Sequence, residues 1–168
     1  MAVELKYEEP TEEELATVTV KFGAKDIHIS HDDVPWVKYA ENGIYFKPIR
    51  LDVINGRYDV VLKVEQGGVI GRHQHHGEVT AYTLEGSWYY KEYDWVAKAG
   101  DIVHEAPGGI HTLCSDEGMV TIFHVTGILE FFDDNNNYTG KQNVFWFLQQ
   151  YKNHCDKHGI EFDKRLLY

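Results

Sequence analysis

From Val18 onward the chain changes to short runs rich in Val, Ile, Tyr and Phe, at 43–53, 58–64, 79–84, 88–93 and 120–125. β-Branched and aromatic residues suit a pleated, half-buried surface, so each run predicts a strand. Within 58–64 one parity is Tyr58, Val60, Leu62 and Val64, while the other includes Asp59 and Lys63. Successive strand side chains point to opposite faces, which predicts one dry and one wet side. Breaks at Asn55-Gly56, Gly67-Gly68, Glu85-Gly86, Gly100-Asp101 and Gly108-Gly109 predict turns at close spacing. Many short strands with frequent turns point to an all-β barrel or jelly roll. Only the ends read differently. Thr11 and Glu14 have the spacing of a capping box, so a short acidic N-terminal helix is expected around 12–15. Val144, Phe147, Leu148 and Tyr151 recur at three- and four-residue steps before Gly159, which predicts a C-terminal helix over 143–158, packed on the outside of the barrel.

Composition narrows the class. With 168 residues, 43% of them hydrophobic, the chain can bury one core without staples. No repeat or Gly/Ser linker divides it, so a single domain is expected: a barrel at about 43–130, an N-terminal extension 1–42 and a helical tail 140–168. Sixteen basic residues stand against 27 acidic ones, a formal net charge of -11, which disfavours nucleic-acid and anionic-membrane partners. The acidic N-terminus has no signal pattern and no apolar run reaches membrane-spanning length, so a cytoplasmic protein is expected. The two cysteines, Cys114 and Cys155, are then free thiols, with Cys114 a small buried apolar residue rather than a ligand.

Ten histidines are the compositional oddity. Residues 67–86 read GGVIGRHQHHGEVTAYTLEG, and on a strand His73 and His75 project from one face, roughly 6.5–7 Å apart at Cα. A third imidazole must come from another strand. The glycine-punctuated stretch 100–111, GDIVHEAPGGIH, supplies His111 just past a tight turn. Three such rings suit a first-row transition metal, with iron, zinc, nickel, copper and manganese all acceptable to imidazole. His76 should point away from His75, and His28, His31, His154 and His158 fall outside both stretches and are expected at the surface. Glu105, just before the turn, and Glu92 are the candidate catalytic carboxylates of the cavity, ahead of Glu78, His104 and His124 as partners for ligand rings. Trp88, Tyr89 and Tyr90 are expected in the core, with one phenol able to face the pocket. Three neutral ligands leave coordination positions open and the cation's charge uncompensated, which suits an anionic chelating substrate and oxygen chemistry. A hydrolytic zinc centre would also keep three histidines and a water, whereas a closed structural zinc site needs a fourth protein ligand.

The two stretches resemble the paired motifs of the cupin superfamily. Gly67, His73, His75 and Gly86 match the first motif in place, but its usual glutamate falls at Val79, with Glu78 one position early. Gly100, Gly108 and His111 keep the spacing of the second, with Ala106 where proline is usual and Ser115 at its final asparagine position. The runs RHQHHGEVTAYTLEGSWYYKEYDW, PGGIHTL, DVPWV, GIYFKPIRLD and FLQQYKNHC are similar to those of 2,4'-dihydroxyacetophenone dioxygenases and their cupin relatives, over nearly the whole stretch 32–159. That resemblance implies a jelly-roll barrel holding Fe(2+) on His73, His75 and His111, with zinc or nickel possible as purified. It implies a small aromatic α-hydroxyketone as substrate, cleaved with O2 to 4-hydroxybenzoate and formate. Two other readings compete: a β-diketone (acetylacetone-type) dioxygenase, which also uses three histidines, and a zinc-binding cupin sensor module like those of anti-sigma factors. Sensor cupins come attached to a helical partner-binding region; none precedes this barrel, so an enzyme is expected. Small cupins assemble as homodimers or homotetramers, and the same is expected here.

Overall fold

The computed structural model describes residues 11–13 and 26–167. Its strands are β1 (Val37–Ala40), β2 (Ile44–Asp52), β3 (Arg57–Val64), β4 (Gly68–His75), β5 (Val79–Tyr90), β6 (Ala97–Lys98), β7 (Ile102–Glu105), β8 (Ile110–Ser115), β9 (Met119–Thr126), β10 (Leu129–Phe132) and β11 (Tyr138–Gln142). They form one curled antiparallel sheet in the order β1-β2-β3-β9-β5-β8-β4-β10-β11, with β6 and β7 attached to β5. The curl puts β3 and β9 on one wall and β4, β8 and β10 on the other. Apolar side chains between them, Val60, Leu62, Ile70, Leu113 and Phe123 among them, form the buried core.

One strand joins the walls. The expected turn at Glu85-Gly86 does not form, and the two predicted runs around it are a single long strand, β5. Its first half pairs with β9 through Val79↔Val125 to Gly86↔Met119, and its last residues pair with β8 through Tyr89↔Cys114 and Tyr90↔Leu113. The register slips between Thr83 and Glu85, and Gly86 adopts φ 68°. A glycine in a run of β-formers here marks a bulge that bends the strand from one wall to the other, not a reversal of the chain.

In β3 the predicted dry parity holds: Tyr58, Val60, Leu62 and Val64 are all buried. The wet parity needs one correction. Asp59 is also buried, because Arg57 Nε at 3.2 Å and His124 Nδ1 at 2.9 Å cover and compensate its carboxylate.

The C-terminal helix α1 (Val144–His158) starts where Asn143 Oδ1 accepts a hydrogen bond from Trp146 N (3.1 Å) and ends at Gly159 in the left-handed conformation, φ 66°. It buries Val144, Phe147, Tyr151 and Cys155. It does more than lie outside the barrel: the Phe147 ring stacks on Tyr58 at 4.4 Å between centroids and meets Phe46 edge-on at 5.1 Å. Both cysteines are buried and free. Of the N-terminal helix expected at 12–15, Glu12 and Glu13 are helical and the remainder lies outside the described residues; the first element described in full is the 3-10 turn His31–Asp33. Among the described residues no helix is long and apolar enough to cross a membrane.

Candidate metal centre

β4 and β8 are antiparallel neighbours, and their register sets His73 directly opposite His111. His75, two residues on from His73, shares its face. Turn residues after β7 hold this register: Gly108 N donates to His75 O (2.8 Å) and Gln74 Nε2 donates to Gly108 O (3.2 Å). The PGG turn is therefore tied to the strand that carries the other two rings. As a result His73, His75 and His111, all buried, each offer a ring nitrogen, and these atoms lie within 4.8 Å of one another. The His73 Nδ1–H donates to the Gly71 carbonyl (2.7 Å), which leaves Nε2 as the unprotonated nitrogen.

Burial and mutual repulsion keep the rings neutral. Desolvation, then the neighbouring imidazoles, hold His75 down at about 2; desolvation and His73 hold His111 at about 3; desolvation lowers His73 as well. Neutral imidazole is the metal-binding form.

Glu105 enters the same cluster. It is buried, with Oε2 3.2 Å from His75 Nε2 and 3.4 Å from His111 Nε2, while the Tyr90 hydroxyl donates to its other oxygen, Oε1, at 2.5 Å. Burial pushes its carboxyl up to about 7, against the opposing pull of the Tyr90 hydrogen bond. In the β5–β7 register Glu105 stands opposite Val79. Directly opposed residues of an antiparallel pair share a face. A carboxylate thus reaches the histidines from the strand adjoining position 79, the position at which the cupin motif places its own glutamate. Glu105 Oε2, His111 Nε2 and His75 Nδ1 are buried without any hydrogen-bond partner. Converging unsatisfied acceptors are costly unless a cation or its ligands meet them, so the donor set fits a divalent metal.

The remaining candidates separate clearly. Glu92 is not brought into the pocket: it is exposed, accepting hydrogen bonds from Thr112 N (2.8 Å) and Oγ1 (3.0 Å), because β5 has ended at Tyr90 and the chain has turned outward. Glu78 is exposed, His104 is exposed and bonded to Thr80 (3.2 Å), and His124 serves Asp59. His76 points outward to Glu130 at 2.9 Å, as strand alternation requires. Trp88 and Tyr90 are core residues, but Tyr90 has a second role: its ring lies flat on His111, 3.7 Å between centroids and 8° between planes. Sequence reasoning did not single out Tyr58 or Phe147 for the site. The inward parity of β3 carried the signal for Tyr58; nothing local carried it for Phe147.

Two spaces adjoin the cluster. An inner apolar cavity of ≈ 50 Å³ lies between the walls, lined by His73, His75, Tyr58, Leu62, Phe123 and Phe147 among others. An outer hollow of ≈ 270 Å³ is lined by Tyr90, Tyr93, Trp95, His104, Glu105 and His111 among others, with the Tyr93 and Trp95 rings stacked at 5.7 Å.

Comparison with known proteins agrees with this architecture. The ChrR cupin-like domain family matches residues 24–130. An RmlC-like cupin protein from Ralstonia eutropha JMP134 is 34% identical, covering 83% of this chain and 93% of its own, with a TM-score of 0.80. A second protein of cupin-like fold and unknown function from the same organism is 22% identical over 86% and 93%, at 0.77. An acetylacetone dioxygenase from Acinetobacter johnsonii is 14% identical over 90% and 99%, at 0.69, a likeness of fold. No protein with a curated description matches the sequence significantly. By its matched family, its 34% identical relative and the strand order around the three histidines, the chain belongs to the cupin superfamily, within the ChrR cupin-like domain family.

Proposed function

We propose that this protein is an iron(II)-dependent dioxygenase that cleaves the carbon–carbon bond of a small aromatic α-hydroxyketone, the substrate being of the 2,4'-dihydroxyacetophenone type. The observation that carries the reading is the convergence of His73, His75 and His111 with a buried carboxylate between an apolar cavity and an aromatic hollow. His73, His75 and His111 would hold the metal. Iron(II) bound there supplies the electron density that lets dioxygen react with an organic enolate.

The protein's own groups do the rest. Tyr93 and Trp95 offer flat apolar faces to the aryl ring of the substrate. Glu105, fixed by Tyr90 through Oε1, presents Oε2 to accept the proton released as the hydroxyketone becomes an enolate, and to return it to a product carboxylate. The apolar lining keeps bulk water from the reacting centre. The overall change balances without a further reductant: the dihydroxyketone and one molecule of dioxygen become 4-hydroxybenzoate and formate, the hydroxymethyl carbon leaving as formate and each product taking one of the two oxygen atoms.

The test is metal content and oxygen uptake on one preparation. Anaerobically prepared protein is expected to carry near-stoichiometric iron and to consume oxygen only when a chelating hydroxyketone is added. An acetylacetone-type substrate in the same assay separates the β-diketone alternative, which the fold of the Acinetobacter enzyme keeps in view. A second reading is favoured by one specific feature: Glu105 beside two of the rings makes a four-donor set, which suits a closed zinc site in a sensor module. Retained zinc, with no oxygen consumption after iron loading, would establish that reading and remove the enzymatic one.

A further inference from the structure

Tyr58 is the one buried hydroxyl among the described residues that has no hydrogen-bond partner. It is 1% exposed and lines the inner cavity together with His73 and His75. Its ring is held by stacking on Phe147 at 4.4 Å and 29°, so the phenol cannot turn away to find a partner elsewhere. The other two phenols of this cavity are satisfied: Tyr39 donates to Gln142 Oε1 (2.6 Å) and Tyr90 to Glu105 Oε1 (2.5 Å). Apart from these phenols and the rings of His73 and His75, the wall around Tyr58 is apolar, formed by Val60, Leu62, Val125 and Leu129 among others. Burial keeps the phenol protonated, well above its ordinary value, so it is a neutral donor. An unmet buried donor is expensive, and a lone donor in an apolar wall is how a cavity reads one oxygen on a ligand.

We propose that Tyr58 is the specificity-determining donor of the inner cavity, giving its hydrogen bond to an oxygen on the small end of a bound ketone. The cavity of ≈ 50 Å³ admits a group such as hydroxymethyl, while the larger part of the ligand occupies the outer hollow of ≈ 270 Å³ on the Tyr93 and Trp95 side. The assignment rests on the small-molecule reading of the site given above, and it adds which group tells an oxygenated arm from a hydrocarbon one.

Two isosteric probes, 2-hydroxy-1-phenylethanone and propiophenone, differ in having a hydroxyl or a methyl at that end. Their affinities for metal-loaded wild-type and Tyr58→Phe protein, measured by calorimetry without oxygen, form a cycle that isolates the contact. Wild type should prefer the hydroxyketone, and Tyr58→Phe should reduce that preference about tenfold, the worth of one buried hydrogen bond. The variant keeps the ring stacked on Phe147 and removes an unmet hydroxyl, so its melting temperature should equal or exceed that of wild type. An identical preference in the two proteins overturns the assignment and makes Tyr58 the partner of a resident water. Failure of the wild type to bind the hydroxyketone overturns it too. Binding is read without turnover: an intact cycle with no oxygen uptake would sink the dioxygenase reading and leave Tyr58 in its role.

Discussion

At the scale of single residues, the proposed function divides the site into rings that would hold the metal and a carboxylate, Glu105, that would act as the base. His111→Ala should abolish stoichiometric iron, read by metal analysis of the purified protein, whereas His104→Ala, at an exposed ring bonded to Thr80, should leave it unchanged. Glu105→Gln keeps the shape but removes the proton acceptor, and kcat should fall by about 10²-fold or more. Tyr90→Phe, which frees Oε1, should lower it by about tenfold, while Glu92→Ala should have little effect. Iron retained in Glu105→Gln with full oxygen uptake would remove Glu105 from the chemistry. The three histidines were legible in sequence because strand alternation and a glycine turn fix where they point. The two glutamates were only weakly separated in sequence: Glu105 was favoured because it lies just before the turn of the second stretch, and Glu92, between the two stretches, ranked a little lower. Which one faces inward depends on where β5 ends and how β7 pairs with it, a non-local matter of register.

Among the elements, β5 is the one on which the barrel turns. Gly86 sits at its bend with a positive φ, and a Cβ there would overlap the Gly118 carbonyl oxygen. Gly86→Val should therefore destabilise the protein by more than about 2 kcal/mol, measured as a lowered denaturant midpoint, whereas the same change at exposed Gly71, whose Cβ would meet nothing, should cost much less. An equal cost at the two positions would dissociate the bend from stability. Alternation made the strands readable, and apolar periodicity with a stop at Gly159 made the C-terminal helix readable, while the cap at Asn143 emerged only in the structure. The bulge was misread as a turn because a single glycine after an acidic residue carries the same local signal in both. Only pairing with β9 on one side and β8 on the other distinguishes them.

Across the whole molecule the buried histidines couple folding to acidity. In metal-free protein His75 at about 2, His111 at about 3 and the lowered His73 all lie below the 6.5 of an unfolded chain. The unfolded state therefore binds protons that the folded state refuses as pH falls below about 6.5, and stability falls with it. Glu105 opposes this: with its carboxyl up at about 7, its contribution is present below 4.5 and is lost as pH rises through 7. Three groups against one leave a net loss in acid, so the urea midpoint of chelator-treated protein should drop between pH 6.5 and 4.5; a midpoint that rises over that interval would contradict the burial of the rings.

The placement of Phe147 has a further consequence. The match to the ChrR cupin-like domain itself ends at residue 130, yet the wall facing Tyr58 is completed by a side chain from 144–158. Two cousins with letter-for-letter matching histidine motifs could thus accept different molecules merely by exchanging their last thirty or so residues. Sorting this lineage by diet calls for aligning tails as carefully as barrels.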